Sequence, residues 1–140
     1  MKQLSLLFIL ASSFFASAQY SLVWSDEFDG TSIDYSKWSH DIGQGVWGWG
    51  NNELQYYTNS ANNSTVDAVH LRITARAETI GSANYTSAKL KTKDLYEFKY
   101  GKVEARIKVP YGQGLWPAFW MLGANIDQVS WPHCGELDLL

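Results

Sequence analysis

Two stretches in which apolar and charged residues alternate constrain the fold of this chain more than any other feature. Residues 69–75 and 102–109 both follow this pattern, and in the second Val103, Ala105, Ile107 and Val109 share one side. A period of two is typical of a half-buried β-strand, with apolar side chains in the core and charged ones in solvent. Shorter strand candidates lie at 22–24, 88–90, 116–122 and 135–140.

Clusters rich in Gly and Asn separate the strand candidates, at 43–52, 59–64, 81–84 and 111–114. Short strands with this spacing indicate an all-β sandwich or barrel, and no segment after residue 18 predicts a helix. Such sandwiches often need about 200–250 residues in one domain. We therefore expect residues 19–140 to be the N-terminal part of one domain, truncated after Leu140.

The first 18 residues are typical of a secretory signal peptide. Lys2 supplies a positive start, residues 4–15 are mostly apolar, and Ala16-Ser17-Ala18 has the small-x-small form of a cleavage site before Gln19. The apolar run is too short to span a membrane. The segment predicts a secreted or periplasmic protein. With one cysteine, Cys134, the chain forms no internal disulfide.

Composition narrows the class of protein further. A hydrophobic share of 46% is typical of a globular domain, and a net charge of −3 with scattered Lys and Arg argues against a nucleic-acid partner. Seven Trp and eight Tyr are many for 140 residues. These rings could form a large aromatic core, or they could stack on the faces of sugars.

Glu136 and Asp138 lie two residues apart in an apolar stretch, with Leu137 and Leu139 as neighbours. In a strand both carboxylates would share one face, with Cα atoms about 6.5–7 Å apart. Their side chains could then approach the ~5–5.5 Å of a retaining glycosidase pair. The two acids could equally bind a cation, or form a solvated face with no task.

Aromatic and amide residues surround these acids in the sequence. Trp116 and Trp120 are four apart and are expected to share a strand face, and Trp131 precedes Glu136 by five residues. A Gly-rich loop upstream collects Trp47, Trp49, Asn51, Asn52, Glu53, Tyr56 and Tyr57. Stacking rings together with amides and acids are what a carbohydrate cleft needs.

Five stretches in order give the chain a resemblance to a known family: LVWSDEFDG, GWGNNELQYYT, YTSAKLKT, YGKVEARIKVPYGQGLWPAFWMLG and WPHCGELDLL. They resemble glycoside hydrolase family 16, in its laminarinase-like, endo-β-1,3-glucanase branch. The resemblance implies a concanavalin-like β-jelly-roll sandwich of two curved antiparallel sheets, incomplete here. It also implies hydrolysis of β-glucan by a secreted enzyme that is monomeric when complete.

The family pattern Glu-x-Asp-x-Glu assigns roles to the acids. By resemblance Glu136 is the nucleophile, Asp138 is the helper that hydrogen-bonds it, and a final Glu is the general acid/base. Position 140 is Leu. The laminarinase branch has one extra residue before the final Glu, so this Glu is expected just after Leu140. A β-bulge would turn it back to the face of the other acids. Residues 1–140 alone are then expected to be inactive.

The remaining implied site residues bind substrate: Asn51, Glu53, Lys89, Trp116, Trp120 and Trp131. Lys89 stands where laminarinases more often carry Arg, and Lys lacks the bidentate fork of Arg. No cofactor is implied for the chemistry. The family can hold a structural calcium partly through the segment around Asp26 and Glu27.

Two other readings remain open. One is a non-catalytic carbohydrate-binding sandwich that lacks the acid. The other is a hydrolase on the same scaffold that acts on agarose, carrageenan or mixed-linkage glucan.

Overall fold

A computed structural model describes residues 19–140; the signal-peptide prediction for residues 1–18 lies outside the described part. Within it, short strands dominate: β1 Ser39–Asp41, β2 Gln55–Tyr57, β3 Ser64–Val66, β4 Leu71–Ile73, β5 Tyr85–Ser87, β6 Lys89–Lys91, β7 Trp120–Leu122 and β8 Glu136–Asp138. One irregular turn, with left-handed backbone at Trp49 and Gly50, covers Gly48–Asn52, and one short helix, α1, covers Ile126–Val129. The sequence predicted neither of these turns, but both are single turns in loops, so the all-β class holds.

The strands associate in pairs. Three pairs are antiparallel, β1 with β6, β3 with β4 and β7 with β8, whereas β2 and β5 run parallel. In β1–β6 Asp41 lies opposite Lys89, and in β7–β8 Asp138 lies opposite Trp120. These two registers place the residues that matter for the candidate site.

Some of the strands predicted from the sequence are present in the structure and others are not. The prediction for 69–75 is confirmed in part: β4 covers Leu71–Ile73 and its Leu71 pairs with Val66, but Val69 and Ile73 are exposed. The candidates at 88–90, 116–122 and 135–140 are confirmed in part by β6, β7 and β8. The strands predicted at 22–24 and 102–109 are wrong for this structure, because neither segment has a strand partner within residues 19–140. Strand formation needs a neighbouring strand to accept its hydrogen bonds, and alternation alone does not supply one.

Asn63 lies at the centre of a buried polar cluster. Its Nδ2 donates to the Thr74 carbonyl oxygen at 3.0 Å and to Thr86 Oγ1 at 2.9 Å, and its Oδ1 accepts from Thr58 Oγ1 at 2.6 Å. Thr86 Oγ1 in turn donates to Glu78 Oε1 at 2.6 Å. Asn63 and Thr86 are fully buried. The cluster ties the loop before β3 to β5 and to the segment that follows β4.

A second cluster, of aromatic rings, attaches the start of the described chain. Trp24 packs edge-on against Trp38 and stacks on Tyr96, with ring centroids 5.5 Å apart in both pairs. Trp38 Nε1 also donates to Asp26 Oδ2 at 2.8 Å. Within residues 19–140, no helix has the length and apolarity needed to cross a membrane.

Candidate active site

The β7–β8 hairpin presents the two acids on one face. Asp138 lies opposite Trp120 and Glu136 lies opposite Leu122, so these four side chains share one side of the pair. Leu137, opposite Met121, points to the other side. Glu136 and Asp138 are both exposed. The predicted placement of both carboxylates on one strand face is confirmed, with a tryptophan beside them.

A β-bulge follows the acids. The backbone N–H groups of Leu139 and Leu140 both donate to the Phe119 carbonyl oxygen, at 2.9 and 3.1 Å. The Phe119 N–H in turn donates to the Leu140 carbonyl oxygen at 3.2 Å. Leu139 and Leu140 therefore both lie opposite Phe119, and two residues opposite one define a β-bulge. Leu139, Leu140 and Phe119 all line one groove of about 410 Å³. The β-bulge that the resemblance implied after Asp138 is therefore present, at Leu139 and Leu140.

Gly123 fixes the geometry of the loop that joins β7 to β8. Its N–H donates to the Gly135 carbonyl oxygen at 3.1 Å, which closes residues 123–135 immediately before Glu136. A Cβ on Gly123 would overlap the Cys134 carbonyl oxygen and would lie 2.8 Å from Asn125 Oδ1. Only glycine fits this approach without a backbone shift. The sequence offered no signal for this requirement, because the contact is between distant parts of the loop.

The Gly-Trp-Asn loop is tightly turned. Trp47, Gly48, Trp49 and Gly50 all have φ between 54° and 84°, and a Cβ on Gly48 would lie 2.5 Å from the Glu53 nitrogen. Such a run of left-handed residues is unfavourable unless the surroundings hold it. Here the Glu53 N–H donates to the Gly48 carbonyl oxygen at 3.2 Å. The turn leaves Trp47 82% exposed and directs Trp49 inward.

Glu53 holds this loop through its carboxylate. Oε2 accepts from Gln55 Nε2 at 2.5 Å and from the Tyr57 hydroxyl at 3.0 Å, and Oε1 accepts from Asn51 Nδ2 at 3.4 Å. Burial, followed by the negative charge of Glu53, raises the pKa of Tyr57 well above its usual range. The structure thus brings Asn51 and Glu53 together, with Asn51 exposed and Glu53 committed to bonds inside the loop.

Lys89 connects the loop to the hairpin. Its Nζ lies 4.5 Å from the centroid of the Trp49 ring and 5.2 Å from that of Trp120, close enough for cation–π attraction to both. The same ammonium lies 3.2 Å from Asp41 Oδ2. The prediction that Lys89 and Trp120 belong to one site is therefore supported by their contact.

Asp41 is a member of the site that the sequence did not reveal. Lys91 donates to its other carboxylate oxygen, so this side chain lies between two ammonium groups. Burial favours the neutral acid, but the hydrogen bonds and charges of Lys91 and Lys89 outweigh it and hold the pKa of Asp41 below its ordinary value. The available sequence signal was the spacing of Lys89 and Lys91, which are two apart and share one strand face. An acid on the neighbouring strand stabilises such a face.

Trp116 and Trp131 are placed differently from Trp120. Trp116 precedes β7, so the predicted strand face shared with Trp120 is not formed. Trp131 lies in the loop between α1 and β8. Their side chains are 71% and 64% exposed, respectively, so both rings are open to solvent. Neither has an aromatic partner among residues 19–140.

Asp26, in the segment that the resemblance connects with a structural calcium, makes contacts within the chain. Its Oδ2 accepts from Trp38 Nε1, its Oδ1 accepts from the Phe28 N–H at 3.1 Å, and Lys37 Nζ lies 3.7 Å away. Within residues 19–140, no three His, Cys, Asp or Glu side chains are grouped so that they could hold a metal ion.

Several known proteins resemble this chain in sequence and in fold. Residues 50–140 match the family model described as XgeA-like, catalytic GH16 domain. Glucan endo-1,3-beta-glucosidase A1 of Niallia circulans is 41% identical in an alignment 138 residues long, gaps included, that covers 89% of this chain and 20% of that protein. The laminarinase catalytic domain of Thermotoga maritima is 49% identical with a TM-score of 0.80, covering 84% of this chain and 49% of the other. The endo-1,3-beta-glucanase catalytic domain of Thermotoga petrophila is 48% identical with a TM-score of 0.82, covering 86% and 50%.

The fold and the strand-borne acids define the class: an all-β jelly-roll domain of the glycoside hydrolase type. The chain belongs to glycoside hydrolase family 16. It spans about half the length of these solved catalytic domains and one fifth of the Niallia circulans protein.

Proposed function

We propose that this protein is a retaining endo-β-1,3-glucanase that hydrolyses β-1,3-glucan such as laminarin. The observation that carries the proposal is the β7–β8 face, where Glu136 and Asp138 lie beside Trp120. The activities named for the Niallia circulans and Thermotoga relatives support the same substrate class. Stacking rings next to paired carboxylates suit a sugar held over its scissile bond.

In the proposed reaction the Glu136 carboxylate attacks the anomeric carbon and forms a covalent glycosyl–enzyme ester. The bond to the glycosidic oxygen breaks, and that oxygen takes its proton from a general acid. Water, deprotonated by the same group, then attacks the anomeric carbon and releases Glu136 as a carboxylate, so the configuration is retained after two inversions. Asp138, on the same face, is the helper that hydrogen-bonds Glu136.

The β-bulge at Leu139 and Leu140 supports a place for the general acid. Without a bulge, a residue three positions after Asp138 would point to the opposite face. The bulge at Leu139 and Leu140 shifts the alternation by one residue, so a residue after Leu140 would point to the side of Glu136 and Asp138. We propose a Glu there, and we propose that residues 19–140 alone give no useful turnover, because a missing proton donor typically lowers the rate about 10²–10⁴-fold.

Substrate contacts are proposed at Asn51, Trp116, Trp120 and Trp131. Glu53 acts through the loop that carries Asn51, and Lys89 acts from its place beside the Trp120 ring. The exposed rings of Trp116 and Trp131 are open to stack on glucose units. Asn51 is exposed and has an amide suited to sugar hydroxyls.

The experiment is laminarin hydrolysis by the protein at its full encoded length, with Glu136→Gln as the test variant. We expect retained anomeric configuration by NMR and loss of at least about 10³-fold in kcat for Glu136→Gln. Glu97→Gln is the matched control, since Glu97 is exposed and does not line the groove beside the hairpin. Full activity of Glu136→Gln would remove the nucleophile assignment. Glucan binding without any product by the unsubstituted protein would favour a binding module instead.

A substrate panel separates the related hydrolases. We expect laminarin to be cleaved with a higher kcat/KM than mixed-linkage glucan, agarose or carrageenan. A preference for any of these three would reassign the substrate while leaving the roles of Glu136 and Asp138 in place.

We also propose export and a monomeric state. The predicted signal peptide supports cleavage after Ala18, which N-terminal sequencing of the mature protein tests by looking for Gln19. Retention of Met1 in the mature protein would contradict export by this route. Light scattering of the purified full-length protein measures its oligomeric state.

A further inference from the structure

Three separate parts of the chain meet at the Lys89 ammonium. Trp49 comes from the Gly-Trp-Asn loop, Trp120 from β7 and Asp41 from β1, with Nζ lying 4.5 Å and 5.2 Å from the two ring centroids and 3.2 Å from Asp41 Oδ2. A sugar-binding lysine would need its N–H donors free for hydroxyl groups. This one is already directed at two aromatic faces and a carboxylate.

Burial strengthens the same point. The side chains of Lys89 and Asp41 are 23% and 14% exposed, so the pair is largely shielded from water. Asp41 and Lys89 are also direct neighbours across the β1–β6 pair, which fixes their backbones relative to each other. An ion pair anchored in this way is less screened than one between surface side chains.

No hydrogen bond orients the Trp49 indole, because its Nε1 is buried and has no hydrogen-bond partner among the described residues. The Lys89 ammonium lies over the ring, the Tyr57 ring is tilted against it with a centroid 5.6 Å away, and Gly45 packs so closely that an added Cβ would lie 2.5 Å from Trp49 Cδ2. Among these contacts, the Lys89 ammonium is the one that Trp49 shares with Trp120.

We propose that Asp41 and Lys89 form a positioning pair that holds Trp49 and Trp120 in a fixed relation beside Asp138. Asp41 anchors the ammonium, the ammonium holds both rings, and Trp120 lies directly opposite Asp138. The inference rests on the proposed function, because it assigns these rings to the glucan platform. Lys89 then acts on substrate through the tryptophans rather than by donating to a hydroxyl.

Three variants of the full-length protein test the pair. Asp41→Asn keeps the shape but removes the charge that anchors Lys89, and Lys89→Met keeps the length but removes the cation. Both are expected to raise KM for laminarin about tenfold with kcat changed less than about threefold, since binding weakens while the acids stay in place. Lys89→Arg keeps a cation that stacks on aromatic rings and pairs with carboxylates, so KM is expected within about threefold of the parent value.

Lys93→Met is the matched control. Lys93 also carries an ion pair, with Asp127, and has no contact with an aromatic ring in the described part of the chain. Its KM and kcat are expected to be unchanged, because an exposed pair of this kind contributes little.

A second readout does not depend on activity. Near-UV circular dichroism reports the packing of tryptophan rings, and we expect it to change in Asp41→Asn and Lys89→Met but not in Lys89→Arg or Lys93→Met, with the far-UV spectrum constant. Unchanged near-UV spectra in Asp41→Asn and Lys89→Met would overturn the positioning role, and a raised KM with an unchanged spectrum in Lys89→Met would assign Lys89 to direct sugar contact. If the unsubstituted protein cleaves no laminarin, the proposed function fails, and the spectra alone still decide whether the pair positions the rings.

Discussion

At the scale of single residues, the side-chain amide of Asn63 connects the buried polar groups around β3 and β5. Asn63 uses both of its polar atoms in three hydrogen bonds, to Thr58, Thr74 and Thr86, and none of its surface is exposed. The sequence did not predict this role, because Asn63 stands in a cluster of small polar residues that is typical of a turn. Its partners are brought to it by β-strand pairing, which local sequence does not specify.

Replacing Asn63 tests its role in stability. Asn63→Ala leaves the Thr58 and Thr86 hydroxyls and the Thr74 carbonyl without this partner, and we expect it to lower the free energy of unfolding by about 2–4 kcal/mol. Urea denaturation of the full-length protein measures the loss. Asn62→Ala, an exposed neighbour, is the control and is expected to stay within about 0.5 kcal/mol of the parent. Equal losses in the two variants would contradict the role of Asn63.

His40 predicts how stability depends on pH. Burial lowers the pKa of His40 below its ordinary value, and its Nε2 lies 2.9 Å from Ser64 Oγ. Below pH 6.5 the unfolded chain therefore binds a proton that the folded chain resists, so unfolding becomes easier as the pH falls toward the lower folded pKa. We expect the fall in Tm between pH 7.5 and 5.5 to be smaller in His40→Gln than in the parent protein. The same fall in both would show that another group carries the dependence.

The two acids show which part of the site local sequence could predict. The shared face of Glu136 and Asp138 follows from the two-residue period of a strand, so it needed no knowledge of the rest of the fold. The pairing of Asp41 with Lys89 depends instead on the register of β1 against β6, which brings together residues far apart in the chain. The sequence therefore predicted the acids and Lys89 but not the carboxylate that anchors Lys89.

At the scale of elements, the β7–β8 hairpin depends on one glycine. A Cβ on Gly123 would overlap the Cys134 carbonyl oxygen, and the loop ends immediately before Glu136. Gly123→Ala must therefore shift the backbone next to Glu136, the proposed nucleophile. We expect laminarin kcat to fall at least about tenfold, since small misplacements of reacting groups are costly. Gly30→Ala is the control, because its nearest atom would be 3.7 Å from the new Cβ. Parent-level kcat in Gly123→Ala would mean that the loop adapts without moving Glu136.

The segment 102–109 shows why a strong strand pattern can fail to form a strand. Its alternation is at least as regular as that of 69–75, yet only the latter contains a strand, because β4 finds β3 as a partner. Propensity for a strand expresses how well side chains fit a paired, half-buried surface. Where the described chain supplies no partner, the pattern has nothing to pair with, and its apolar side chains line a groove instead.

At the scale of the whole molecule, the strands of residues 19–140 form four separate pairs. This arrangement superposes on the two Thermotoga catalytic domains with TM-scores of 0.80 and 0.82. The fold class was predictable, since it follows from the period and spacing of the strand candidates together with the family motifs. The pairing was not, because turns and alternation do not determine which strands become neighbours. β2 and β5, the parallel pair, were not among the predicted strands.

The groove beside 102–109, lined by apolar side chains and by Glu104, gives a prediction for residues 19–140 on their own. Ile107, Val109, Leu139 and Leu140 line it and are 41–48% exposed. An exposed apolar surface of this kind binds hydrophobic dyes, so we expect residues 19–140, produced alone, to enhance the fluorescence of anilinonaphthalene sulfonate.

Substituting the groove tests whether it is the site of dye binding. Ile107→Asn places an amide in the groove and is expected to lower the enhancement by about half or more, because the dye binds apolar surface. Lys108→Gln changes the next residue, which does not line the groove, and is expected to leave the fluorescence as it was. An enhancement that Ile107→Asn does not reduce would place the dye elsewhere on the chain. In that case the segment 102–109 would not be the source of the exposed apolar surface.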